Sequence, residues 1–256
     1  MGTLDGRTAL VTGGGRGIGA AIARALAAEG ADVAINYAKR SAHAEEVAAA
    51  IRAGGRRAEI FQADVSDYAA CEAMAEQALE QLGPISILVN NAGIASRGNT
   101  VGEGEPAEME RVLRTHAFGS WYMAHLLIPQ MRELERGDVV QITSAATAGL
   151  QANGSPYNMA KAAQEAFAHT LAKEEMPNGI HVNTVAPGLV DTEMGFRLMR
   201  ATRGVESLRE IDPESAFGHV CTPEEIASVV VFLCGPGASY VSSQRIYVSG
   251  GTVDAR

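Results

Sequence analysis

Thr8-Ala9-Leu10-Val11-Thr12-Gly13-Gly14-Gly15-Arg16-Gly17-Ile18-Gly19 lies close to the N-terminus, and Ala20-Ala21-Ile22-Ala23-Arg24-Ala25-Leu26-Ala27-Ala28-Glu29 follows it before Gly30. The apolar run 8–12 predicts a strand, the glycines a tight loop, and 20–29 a helix stopped by Gly30. Strand, glycine loop and helix are the setting a dinucleotide fingerprint requires. Glycines let the backbone turn sharply and approach a pyrophosphate. The helix N-terminus adds N–H groups and the positive end of its dipole. The plain alternative is a turn that merely joins two elements.

Working outward, strands and helices alternate. Apolar strands are predicted at 32–36, 58–63, 85–89, 139–143, 180–186 and 245–248. Helices are predicted at 45–53, at 67–82 with Ser66 or Asp67 as cap, from Pro106 to Leu134 without a break, from about Tyr157 to Met176, and after Thr222-Pro223. Proline suits the first helical position. Segment 94–105 is glycine-rich and irregular, and 193–218 mixes Met194, Phe196, Leu198 and Met199 with charges, as an amphipathic lid would. Such alternation predicts one α/β domain over 1–256. It is a doubly wound parallel sheet of about seven strands with helices on both faces, the Rossmann arrangement, and a lid at about 190–218.

An NAD-binding fold places an acid at the end of its second strand to hold the ribose 2′-hydroxyl. Here that place reads Asn36-Tyr37-Ala38-Lys39-Arg40-Ser41, and Asp32 is at the wrong end. Lys39 and Arg40, with Arg16 from the glycine loop, suit a 2′-phosphate. NADP is therefore expected over NAD. The plain alternative is that Lys39 and Arg40 are solvated loop charges.

Ser144 closes the strand at 139–143, and Tyr157-Asn158-Met159-Ala160-Lys161 opens the long helix thirteen residues later. Tyrosine and lysine four apart share a helix face. A free phenol, with a pKa near ~10, exchanges protons poorly at neutral pH. A neighbouring cation favours the phenolate, and bringing it to about 7 asks for about 4 kcal/mol. With Ser144 holding a substrate oxygen, such a site moves a proton on or off an alcohol or carbonyl. Tyr-x-x-x-Lys by itself recurs by chance in a chain this long.

Bulk properties narrow the classes. The 256 residues carry a net charge of −9, which argues against nucleic acid or an anionic membrane as partner. No apolar run reaches the ~18 residues of a membrane span. No signal-peptide core precedes the first strand. Cys71, Cys221 and Cys234 form no metal or redox motif and read as free thiols of a cytoplasmic protein. The histidines other than His116 show no ligand spacing, so no metal site is expected.

Taken in order, Thr12-Gly13-x-x-x-Gly17-x-Gly19, Asp64-Val65, Asn90-Asn91-Ala92-Gly93, Ser144, Tyr157-x-x-x-Lys161 and Pro187-Gly188 resemble the short-chain dehydrogenase/reductase family over nearly the whole chain. The resemblance is strongest to its 3-oxoacyl-(acyl-carrier-protein) reductase-like branch. It implies that Gly13, Gly15, Gly17, Ile18 and Gly19 shape the pyrophosphate turn, and that Arg16 with the stretch from Asn36 through Tyr37, Ala38, Lys39 and Arg40 to Ser41 meets the adenosine ribose phosphate. Asp64 would accept from the adenine amino group and Val65 pack on its ring. Asn91, Ala92 and Gly93 would floor the cofactor. Pro187, Gly188, Val190 and Thr192 would flank the nicotinamide, with Thr192 on its carboxamide. Tyr157 would be the general acid/base and Ser144 the carbonyl partner. Lys161 would bind ribose hydroxyls and lower the tyrosine pKa. The family is usually homotetrameric, and the helices 106–134 and 155–176 offer faces for that.

One position departs from the family pattern. His116 in Arg114-Thr115-His116-Ala117 stands where an asparagine is usual. There the main-chain carbonyl helps hold a water, so a backbone role survives. An imidazole could also pass protons itself, or merely fill space. The leading expectation is an NADP-dependent oxidoreductase interconverting a carbonyl and a secondary alcohol, its substrate pocket built from 94–100, 145–155 and 190–218 with Leu150, Met194, Phe196 and Met199 as apolar lining. A non-catalytic NADP-sensing or scaffold protein on the same fold is the alternative. Intact Ser144, Tyr157 and Lys161 count against it; only His116 favours it.

Overall fold

Strand alternation explains how the sheet sits between two layers. In the computed structural model, which describes residues 2–215 and 217–252, seven strands form: β1 Thr8–Val11, β2 Asp32–Tyr37, β3 Ala58–Gln62, β4 Ile87–Asn90, β5 Gly137–Ile142, β6 Ile180–Pro187 and β7 Arg245–Val248. All neighbours are parallel, in the order β3-β2-β1-β4-β5-β6-β7. Successive side chains of a strand face opposite ways. Ala9, Val11, Val33, Ile35, Ile87, Val89, Val140 and Ile142 accordingly enter one core cluster, and Leu10, Ala34, Leu88 and Val139 enter the other.

The first cluster is covered by α1 Gly17–Ala28, α2 Ser41–Ala53 and α9 Pro223–Cys234. The second is covered by α3 Tyr68–Leu82, α5 Gly119–Met131 and α7 Ser155–Glu175. Asp67, not Ser66, caps α3, accepting from the N–H of Ala69 and Ala70. Thr222 and Glu225 form a reciprocal cap at the start of α9, with Pro223 at its first turn. Short α6 Ala146–Gly149 and α8 Glu193–Arg203 complete the set with α4 Pro106–Leu113. No described helix is long and apolar enough to cross a membrane.

Two expectations need correction. The helix drawn without a break over 106–134 is three pieces: α4, a wide π turn at Arg114–Phe118, and α5, which stops at Met131. A π turn holds one residue more than an α turn and is common at functional sites. Hydroxyls satisfy two carbonyls around it: Thr115 Oγ1 donates to Arg111 O at 2.9 Å and Ser120 Oγ to His116 O at 2.7 Å. Periodicity cannot show a one-residue insertion whose partners are local side chains. The segment 193–218, expected as an amphipathic lid or a plain packing helix, is likewise in two parts. It is α8 followed by a 3-10 stretch, Leu208–Glu214, around a small core of Leu208, Ile211 and Val220. Ala216 within it, Met1 and 253–256 lie outside the described residues.

Candidate active site

Strand order reverses between β1 and its neighbours β2 and β4, and the crevice at the carboxyl ends of these strands is where doubly wound sheets bind ligands. The glycine loop sits there. Gly13 has φ +62° and Gly17 φ +52°, in the left-handed region that favours glycine. A Cβ on Gly13 would come within 3.0 Å of Ala92 Cα, so the loop lies flat on the segment after β4. Thr12 Oγ1 accepts from the N–H of both Asn91 and Ala92 at 3.0 Å, and Asn91 Nδ2 donates to the carbonyls of Thr12 and Gly13. Backbone stripped of side chains before the N-terminus of α1 fits a dinucleotide pyrophosphate.

Around this cradle some expected residues are committed elsewhere. Asn36 is buried; its Oδ1 accepts from Gly13 N and its Nδ2 donates to Ala63 O at 3.0 Å. Its amide therefore braces the loop from below, and does not face the ribose phosphate. Val65 is 5% exposed and faces the second core cluster beside Gly119, not an adenine ring. Asp64 is exposed, with Oδ1 accepting from Ser66 N–H and Oγ. Val190 is buried in the first core cluster. The Thr192 hydroxyl caps α8 by accepting from Gly195 N–H at 3.1 Å. Pro187 ends β6, and Gly188 packs against Ser249. Tyr37 is half-buried, while Ala38, Lys39, Arg40 and Ser41 are exposed.

Ser144 follows β5, and Tyr157 and Lys161 lie on the first turns of α7. The three come together: the Ser144 hydroxyl faces the Tyr157 phenol closely enough to oppose the rise of its pKa, and Lys161 Nζ is 5.8 Å from the centre of the tyrosine ring. The lysine is 3% exposed and donates to Ile142 O at 2.7 Å and Gln164 Oε1 at 3.1 Å. Burial pulls its pKa down to about 7, against the opposing charge of Glu165. The phenol moves the other way from expectation. Burial pushes Tyr157 above the ordinary tyrosine value, and only the Ser144 hydroxyl opposes this. Lys161 itself donates to a main-chain carbonyl and a glutamine.

His116 stands in the π turn, 1% exposed, its ring edge-on to Tyr157 with centroids 5.4 Å apart. Nε2 lies 2.8 Å from the Ile94 carbonyl and 3.2 Å from the Ile94 N–H, so either tautomer finds a partner there. Gly93 leaves room for the ring: a Cβ there would sit 2.5 Å from His116 Cε1. Burial first, then the charge of Lys161, pulls the imidazole pKa to about 3. A group that neutral at physiological pH holds no proton to pass on as an imidazolium.

Sequence reasoning missed the supporting groups. Gln164 donates to Ser120 Oγ at 2.9 Å and Gln141 Oε1 at 3.0 Å, and Ser120 donates to His116 O, so a buried polar chain runs from Lys161 to the π turn. Glu165 accepts from Thr143 and Thr147 and pairs with Arg245 at 2.7 Å. Spacing held the signal: Gln164 and Glu165 fall three and four residues after Lys161, on its own face. One cavity covers part of the expected pocket. A cavity of about 320 Å³ is lined by Asn99, Val101, Leu150, Gln151, Asn158 and Met159 among others, with nothing from 190–218. Phe196 and Met199 pack on the lid's own core instead, and Met194 is exposed. Among the described residues no cluster of ligands for a metal is found.

Residues 13–253 match the family described as "Enoyl-(Acyl carrier protein) reductase". Versicolorin reductase stcU of Emericella nidulans is 38% identical, covering 97% of this chain and 96% of its own. The chain belongs to the short-chain dehydrogenase/reductase family. Another member, the 3-oxoacyl-[acyl-carrier-protein] reductase of Synechocystis sp., is 35% identical over 99% of both chains. The family fold is equally plain in a solved structure, the angucycline C-6 ketoreductase LanV with bound NADP. It aligns with a TM-score of 0.89 at 32% identity, covering 98% of this chain and 97% of that one. As a short-chain dehydrogenase/reductase the protein is an NAD(P)-dependent oxidoreductase interconverting carbonyl and alcohol groups.

Proposed function

We propose that this protein is an NADP-dependent carbonyl reductase in which Tyr157 is the general acid. The observation that carries the reading is the convergence of Ser144, Tyr157 and Lys161 at the end of β5, beside the glycine cradle. When bound, the nicotinamide supplies the hydride. Ser144 and Tyr157, side by side, hold the substrate oxygen between two hydroxyls. The phenol carries the proton that the carbonyl oxygen takes as it gains charge, and Ser144 opposes the burial that makes it a weaker acid. Lys161, buried beside the tyrosine ring and fixed by Ile142 O and Gln164, would hold the ribose hydroxyls of the cofactor.

NADP over NAD is supported by Arg16, Lys39 and Arg40 at the mouth of β2, with no acid at its end, and by the NADP bound to LanV. His116 is a positioning residue in this reading: its ring braces Tyr157 and pins Ile94, and its neutrality speaks against the relay role. Residues 1–256 act as one domain, with 190–218 lying over the substrate. We further assign a cytoplasmic homotetramer, supported by the exposed Phe118 and Trp121 on the π turn and α5. A non-catalytic sensor is not supported, because the full constellation is retained. The test is loss of NADPH absorbance with a panel of diketones, acetoacetyl thioesters and quinones. Loss with one class supports the reductase; tight NADPH binding with no loss on any member refutes it.

A further inference from the structure

We propose that Glu193, the first residue of the lid helix, is an internal stand-in for the cofactor's 2′-phosphate, and that NADP(H) selects its pocket by displacing this carboxylate and freeing the lid's first turn. The inference rests on the NADP reading above and adds to it a residue that sets cofactor choice. Glu193 Oε2 pairs with Arg16 of the glycine loop, and Arg40 Nη1 of the β2–α2 turn lies 3.9 Å from the same oxygen. Those are two of the three cations that suit a 2′-phosphate. One carboxylate from a distant part of the chain thus gathers guanidinium groups from two separate loops.

The lid is anchored by the same contact. Thr192, next in the chain, caps α8, and its methyl lies 3.3 Å from where a Cβ on Gly17 would be. The first turn of the lid therefore rests on the glycine loop while its glutamate holds the arginines. Displacement leaves no orphan charge, because Glu193 Oε1 already pairs with Arg197 one turn along α8. A phosphate carries about −1.5 to −2 charges and three acceptor oxygens. It binds guanidinium in bidentate fashion more strongly than a shared carboxylate does. The side chains of Arg16, Arg40 and Glu193 are 56%, 59% and 40% exposed, so solvent screens these pairs and each is individually weak. The carboxylate is easily displaced, yet it taxes every cofactor that needs the same cations.

The experiment is titration of the full-length protein and Glu193→Gln with NADPH, NADH, adenosine 2′,5′-bisphosphate and AMP, followed by fluorescence or calorimetry. Expected is a roughly two- to five-fold fall in Kd for NADPH and the bisphosphate in Glu193→Gln, the size of one exposed charge pair, with NADH and AMP little changed. Hydrogen exchange gives an independent reading. In the parent protein the bisphosphate, but not AMP, should speed exchange in 193–203, and in Glu193→Gln that segment should exchange fast without ligand. If the parent protein prefers the 2′-phosphorylated ligands but Glu193→Gln binds them no more tightly, the Glu193 proposal is overturned and the NADP reading stands. If the parent shows no preference for the 2′-phosphate, both fall together.

Discussion

Two halves of this crevice are built to different standards. On the cofactor side, Thr12, Asn36 and Asn91 tie the glycine loop to β3 and to the segment after β4 through buried side-chain-to-backbone hydrogen bonds. On the other side, Val101, Leu150, Leu198 and Phe217 are 80%, 61%, 54% and 78% exposed, and the small cluster of Leu208, Ile211 and Val220 is the core on which Phe196 and Met199 pack. The contrast teaches where precision is needed. A pyrophosphate is the same in every turnover, so its cradle can be over-determined by the main chain. A substrate pocket made of loops that share little core can change without disturbing the sheet.

The strongest way to break the comparison is at the junction of the halves. Tyr157→Phe should lower NADPH-dependent carbonyl reduction by about 10²- to 10⁴-fold, the usual share of a general acid, while NADPH still binds by fluorescence titration. Undiminished turnover would place the chemistry elsewhere. Next comes the cradle itself. Thr12→Val strips the acceptor from two main-chain N–H groups and should cost about 2–4 kcal/mol, seen as a lower thermal midpoint. A change under 1 kcal/mol would mean the loop is not held as described.

Lys161 offers a pH-dependent test. Its pKa is about 7 in the folded chain against 10.5 for an ordinary lysine. Between those values the unfolded chain binds more protons, so this group makes stability rise with pH across that window. Lys161→Met should flatten denaturation midpoints between about pH 7 and 10.5; an unchanged slope would locate the rise in other groups. His116→Asn should keep or raise activity, since a neutral positioning ring can be replaced by a smaller group reaching Ile94. Abolished turnover with cofactor still bound would give the imidazole a specific chemical part. Smallest of all, Leu150→Gly should leave stability within about 0.5 kcal/mol. Leu150 has φ +46°, where glycine is at ease. Only the ranking of substrates by KM should move.

Much of the cofactor half was legible because its signals are local. Glycines at 13, 17 and 19, an apolar strand before them and a helix after them are all within residues 8–29. The substrate half resisted for the opposite reason. Phe196 and Met199 look like lining by composition, yet they bury themselves on Leu208, Ile211 and Val220. A helical stripe does not say which surface it will meet.

From the chain alone came the doubly wound sheet, its strand count, and the three residues Ser144, Tyr157 and Lys161, since period-two apolar runs and one-turn spacings are written in neighbouring positions. Folding alone decided the π turn that stands His116 against Tyr157, the burial that turns Lys161 toward Ile142 and raises the phenol, and the meeting of Glu193 with Arg16 and Arg40. Each of these depends on desolvation or on pairing between segments far apart in sequence. Desolvation and distant charge act through space, and no local pattern of residues encodes them.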